Sequence, residues 1–144
     1  MESKNLIAKA EININAPIDD VWDALVNPVT INKYMFGTTV TSDWKEGSKI
    51  TWKGEWKGKP YEDKGYITQL IPGKMIQYTH YSPLSGLPDV PENYTTLVTV
   101  SLNEKNGGTH VELTQTNNPD EDAKEHSEEN WNMMLKGMKK VVEG

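Results

Sequence analysis

Apolar and polar positions alternate with a period of two through most of this chain. That pattern gives way to a helical period near the N-terminus and again at the C-terminus. Residues 6–15 set Ala8, Ala10, Ile12 and Ile14 against Lys9, Glu11, Asn13 and Asn15, as a half-buried strand does. Pro17 then suits a first helical position, and Asp19 and Asp20 complement the positive end of a short helix. Its inner face would carry Val21, Trp22 and Leu25. Asn27-Pro28 ends this helix and caps a second one that reaches to near Tyr34. Neither is long enough to be stable alone, so both must lean on a sheet.

Strand signals fill residues 39–116. Ile50, Trp52, Gly54 and Trp56 share one face, opposed by Lys49, Thr51, Lys53, Glu55 and Lys57. Gly58-Lys59-Pro60 turns the chain, residues 61–70 return it, and Pro72-Gly73 turns it again. The next strand groups Ile76, Tyr78 and His80. Asn106-Gly107-Gly108 is a hairpin signal between strands at 96–102 and 109–116. Their inward set is Val98, Val100, Leu102, Val111, Leu113 and Gln115. Residues 119–144 then form a long amphipathic helix, with Trp131, Met134, Leu135, Met138, Val141 and Val142 as its apolar stripe. Asp120, Glu121, Asp122 and Glu125 open it, and Lys136, Lys139 and Lys140 close it, as the helix dipole favours. An antiparallel meander with its helices on one face follows, an α+β class. A long helix gripped by a curved sheet can leave a cavity between them.

Composition sharpens this picture in three ways. The chain has 144 residues, which makes one domain over 1–144 the expectation. Only 35% of residues are apolar, so the five Trp, six Tyr and six Met carry much of the core. A formal charge of −6 argues against a nucleic-acid partner or an anionic membrane surface. There is no cysteine, hence no disulfide framework, thiolate nucleophile or Cys-type zinc site. No apolar run suits a membrane span or a secretory signal, so a cytoplasmic protein without membrane insertion is expected.

Candidate chemistry is sparse. His80, His110 and His126 are not paired at metal-ligand spacing, and no phosphate loop, nucleophile elbow or dinucleotide fingerprint occurs. Neither metal nor cofactor is expected. In register with Ile76 and Tyr78, His80 would point into the cavity as an acid, a base or a hydrogen-bond donor. The alternative is a partly buried histidine satisfied by a backbone or hydroxyl partner. Gln69 and Gln115 face inward if Ile67 and Leu113 do, as ligand contacts or as hydrogen-bonders at the rim. The carboxylates of Asp63 and Glu11 have no partner that spacing identifies. Trp52, Trp56, Tyr78, Trp131, Met134 and Met138 either line a pocket for an apolar ligand or fill the core. Residues 82–93 hold Pro83, Pro88 and Pro91 with Leu84, Leu87 and Val90. This stretch is long for a hairpin connection: a stiff surface crossover, or a lid with Leu84 and Leu87 over the cavity mouth.

Five stretches, in order, resemble one family. They are residues 14–25, with Ala16-Pro17 and Val21-Trp22-Asp23-Ala24-Leu25; residues 43–48, with Asp43-Trp44 and Gly47-Ser48; Gly65-Tyr66-Ile67 followed by Pro72-Gly73; residues 108–114, with Gly108-Thr109 and Leu113-Thr114; and Trp131 with Leu135. The chain is similar to the START-like (SRPBCC, helix-grip) superfamily, and within it to the homologues of the activator of heat-shock-protein-90 ATPase. The resemblance implies a β-α-α-β6-α chain whose curved antiparallel sheet grips the last helix around a cavity. For function it implies non-enzymatic binding of a hydrophobic or amphipathic small molecule, of lipid, polyketide or flavonoid type. As alternatives it implies a stress-related co-chaperone-like protein with a chaperone as partner, or a polyketide cyclase-like enzyme. The expected lining is Trp52, Trp56, Gln69, Tyr78, His80, Gln115, Trp131, Met134 and Met138.

Overall fold

A computed structural model of the chain describes residues 6–35, 37–56, 58–81, 90, 94, 96–118 and 120–144, without the side chain of Trp56. The elements run β1 (Leu6–Ile14), α1 (Ile18–Val26), α2 (Pro28–Tyr34), β2 (Thr39–Ser42), β3 (Lys49–Trp56), β4 (Lys59–Ile71), β5 (Met75–His80), β6 (Thr96–Lys105), β7 (Gly108–Asn118) and α3 (Glu121–Glu143). Among the described residues the strands form one seven-stranded sheet, ordered β1-β7-β6-β5-β4-β3-β2, with every pairing antiparallel. This is the α+β helix-grip fold expected from the pattern. The expected lid residues Leu84 and Leu87 lie outside the described residues.

Turn chemistry sets the register. Asn106 and Gly107 adopt φ of 52° and 81°, a two-residue reversal that matches strand twist. It pairs Lys105 with Gly108, and so Val100 with Leu113 and Leu102 with Val111. Those four side chains and Val98 are buried. The β3–β4 hairpin also closes over two residues, since Trp56 pairs with Lys59. Pro60 therefore belongs to β4, opposite Glu55, rather than to the turn. That register puts Asp63 opposite Trp52 and Tyr61 opposite Gly54, on the concave face.

A bulge interrupts β4, where Ile67 pairs with Tyr78 but Gln69 pairs with Gln77. Alternation resets there, so Thr68 and Gln69 are both exposed, and Gln69 Nε2 donates to Gln77 Oε1 at 3.2 Å. Gln69 thus faces away from the interior, contrary to the sequence expectation.

α3 spans 23 residues, about 34 Å at 1.5 Å per residue. The Asp120 carboxylate caps it by accepting from Ala123 N at 2.8 Å. Its axis follows the free edge of β1. Glu128 Oε2 accepts from Lys9 N at 3.0 Å, Lys139 Nζ donates to Asn13 O at 2.9 Å, and Glu143 Oε2 accepts from Asn15 N at 2.8 Å. An edge that would otherwise expose unpaired backbone groups is covered along its length. Leu135 and Met138 are fully buried beneath the helix. Gly137 faces α2 at ordinary packing distance, since a Cβ there would lie 3.4 Å from Tyr34 Cβ. Tyr34 in turn donates to Ala24 O at 2.7 Å, tying α2 to α1.

Candidate functional site

The long helix and the sheet close on each other at one end and part at the other. Toward the C-terminal end of α3, Leu135 and Met138 seal the core with α1 and α2. Among the described residues Met138 is fully buried in that core and borders neither the cleft at the parting end nor the small void behind it, which corrects the lining role expected for it from the helical stripe. One helical turn beyond Met134, it falls where the two short helices cover the sheet. Toward the N-terminal half of α3 the surfaces diverge into a cleft of about 490 Å³. Its walls are Trp131, Met133 and Met134 from α3, Met35 and Thr38 from the segment after α2, and Tyr61 and Asp63 from β4. Glu55, Gln115, Ser127 and Asn130 complete the lining.

Behind the cleft lies a void of only about 40 Å³, bounded by Trp52, Tyr78, Tyr34, Ile50, Val100 and others. Met35, Trp131 and Met134 border both spaces, so they form the partition. The interior hollow expected from the fold is therefore small, because the bulky side chains meet. Trp52 and Tyr78 pack at 5.1 Å between ring centroids in a tilted arrangement. Of these two spaces the open cleft is much the larger; a separate, more open groove of about 640 Å³ runs between α2 and the C-terminal half of α3.

Polar contacts hold the walls in place. Trp131 Nε1 donates to Gln115 Oε1 at 2.6 Å, and Ser127 Oγ donates to Asn118 Oδ1 at 3.0 Å. Both pin the helix to the end of β7. The Thr38 and Tyr61 hydroxyls are 2.9 Å apart, joining the α2 end to the hairpin. Gly54 makes room for this, since a Cβ there would lie 2.8 Å from the Tyr61 hydroxyl. His80 does not line the cleft; its Nε2 lies 2.9 Å from Asp63 Oδ2, and its ring packs 5.3 Å from Trp52. The other oxygen, Asp63 Oδ1, is buried with no hydrogen-bond partner among the described residues. Burial pushes the Tyr78 phenol above its ordinary range, and burial with the nearby Tyr78 does the same to Tyr34. Both therefore stay protonated donors across the physiological range.

Of the residues expected from sequence, the structure brings Gln115, Trp131 and Met134 to the cleft and Trp52 and Tyr78 to the void behind it. It places His80 on Asp63, Gln69 on the outer surface and Met138 in the core. The side chain of Trp56 is outside the described set. Sequence reasoning missed Met35, Thr38, Tyr61, Asp63 and Met133. On the convex face, Glu11, His110 and Glu112 hold one ligand atom each within 4.8 Å of the others. Lys9 already pairs with both glutamates, at 3.7 and 3.4 Å, so the protein itself supplies a cation between them.

A curved antiparallel sheet gripping one long helix, with a cleft at the parting end, defines a START-like helix-grip protein. The chain belongs to the family described as Activator of Hsp90 ATPase homolog 1-like protein, whose model matches residues 15–143. It is similar to ChR145 from Cytophaga hutchinsonii, known from a solution structure, at 59% identity over 99% of this chain and 97% of that one, with a TM-score of 0.84. The Aha1 dimer from Colwellia psychrerythraea shares the fold at 22% identity over 95% and 96% of the two chains, TM-score 0.74. CalU16 from Micromonospora echinospora does so at 19% identity over 99% and 87%, TM-score 0.72. A comparison with curated protein sequences finds no significant match. No helix among the described residues is long and apolar enough to cross a membrane.

Proposed function

We propose that this protein binds a hydrophobic or amphipathic small molecule in the cleft beside α3, without transforming it. The observation that carries this reading is the cleft itself: about 490 Å³, walled by Trp131, Met35, Met133 and Met134, with a few fixed polar groups. Ligand sites run roughly 300–1,000 Å³ and share that mixture of apolar wall and sparse polar anchors. Three methionines give an adaptable surface, suited to ligands of varied shape. Thermal-shift and native mass spectrometry screening with lipids, polyketides and flavonoids tests it. A one-to-one adduct with a rise in Tm is expected, reduced in Trp131→Ala. At a hundredfold excess over Kd, binding adds about 2.7 kcal/mol of stability. If no compound in any class shifts Tm or forms an adduct, the proposal fails.

The Asp63–His80 contact of 2.9 Å favours a second reading, a polyketide cyclase-like enzyme. Asp63 borders the cleft and would act as general base, with His80 as its positioning residue. Cyclisation of a polyketone substrate, abolished by Asp63→Asn, is the expected result. Its absence with the unaltered protein removes this reading and leaves the first intact.

A further inference from the structure

We propose that the cleft takes its ligand as an organic cation, a protonated amine on an apolar body. Its ammonium would sit at Asp63, and its body against Trp131 and Met134. This rests on the ligand-binding reading above and narrows it to a chemical class.

Three observations converge. The first is charge. The formally charged groups in the lining are Glu55 and Asp63, and no lysine borders the cleft among the described residues. The chain contains no arginine at all, so no guanidinium can receive a carboxylate or phosphate head. The second is the balance of donors and acceptors. The indole N–H of Trp131 is committed to Gln115, the Gln115 amide faces Ser127 at 3.5 Å, and the Ser127 hydroxyl donates to Asn118. What remains to donate is the Asn130 amide, the second N–H of the Gln115 amide and one proton of the Thr38–Tyr61 pair. Acceptors are in surplus: the carboxylates of Glu55 and Asp63 border the cleft, and among the described residues Asp63 meets only His80, at Oδ2. Oδ1 is sealed from solvent, so a ligand N–H would meet this carboxylate at Oδ2, which can accept a second hydrogen bond beside the His80 contact. The third is the character of the walls. Trp131 and Tyr61 place aromatic rings in the lining, and a cation is drawn to the face of such a ring where an anion is repelled.

Asp63 keeps 19% of its side-chain surface accessible, so it can be reached, yet it is sheltered enough for its charge to discriminate. Glu55 is exposed and adds negative potential at the rim. A fatty acid or phosphate ester would meet two carboxylates and few donors. An amine of the same skeleton meets partners for both its ends.

The test is calorimetric titration of the full chain with naphthylethylamine, naphthylethanol and naphthylacetate, which differ in the charge of one group. The amine is expected to bind at least about tenfold tighter than the alcohol, as a charge-assisted hydrogen bond provides, with the carboxylate weakest. Asp63→Asn should bring the amine down to the affinity of the alcohol, and Glu55→Gln should weaken it only slightly. An amine no tighter than the alcohol overturns the proposal while leaving the binding cleft standing. If none of the three binds saturably, the cleft reading and this one fall together. The ligand series on the unaltered protein decides the matter even if the asparagine variant misfolds.

Discussion

Met134 and Met138, one helical turn apart on α3, separate two roles that the same side chain can play. Met134 borders the cleft and is half-buried, whereas Met138 is fully buried in the sealed half of the core. Met138→Ala should therefore cost about 2–5 kcal/mol in chemical denaturation and leave ligand affinity per folded molecule unchanged. Met134→Ala should cost roughly 1 kcal/mol and alter affinity. Gly65 makes a stricter demand. A Cβ there would lie 1.8 Å from the backbone oxygen of Thr79, in the strand that carries His80 toward Asp63. Gly65→Ala is expected to destabilise by the upper end of roughly 1–3 kcal/mol or beyond; an unchanged denaturation midpoint would show that the strands are not so close. Neither distinction is legible in the sequence. The stripe from Trp131 to Val142 identifies the buried face of α3 but not where the sheet departs from it. Likewise, no alternation rule reveals a bulge at Thr68, so Gln69 reads as inward until the pairing with Gln77 is known.

At the scale of elements, the helices and hairpins are largely readable because their caps and turns carry local chemistry. Asn27-Pro28 caps α2, with Val29 N donating to Asn27 Oδ1 at 3.0 Å, and Asn106-Gly107 fixes the β6–β7 pairing. Register in the β3–β4 hairpin is not readable to one residue, and there one residue decides the chemistry. A turn over residues 58–60 would set Asp63 opposite Glu55 on the outer face. The two-residue closure sets it opposite Trp52 on the inner one. The latch between α3 and β1 is equally invisible, since it joins Glu128 to Lys9 and Glu143 to Asn15 across more than a hundred residues. It has a pH signature. The Lys9 N–H, with Lys124, holds the Glu128 carboxyl below its ordinary value of 4.5, and Lys139, with the Asn15 N–H, does the same for Glu143. Carboxyls depressed in the folded state contribute stability above the unfolded value and lose it as pH falls through the folded one. Stability should thus decline on acidification below about pH 4.5, modestly and with salt sensitivity, because both carboxyls keep contact with solvent. The double variant Glu128→Gln/Glu143→Gln should flatten that part of the acid limb. An identical limb in the variant would assign the acid sensitivity to other carboxyls.

The whole molecule is a gripped helix that is closed at one end and parted at the other. Family membership leaves open what such a shape is used for, because fold does not fix function. If a small molecule is the partner, adding this protein to an Hsp90-type chaperone should leave the ATPase rate unchanged; acceleration would favour the co-chaperone alternative. The most direct measurement of ligand binding is a two-dimensional NMR titration of the labelled chain with a neutral aryl alcohol. Saturable shifts should gather at the Trp131 indole N–H, at the methyls of Met35 and Met134 and at Tyr61, with Met138 unmoved. Spectra that stay still at millimolar ligand, or shifts scattered away from α3 and the β3–β4 hairpin, would contradict it.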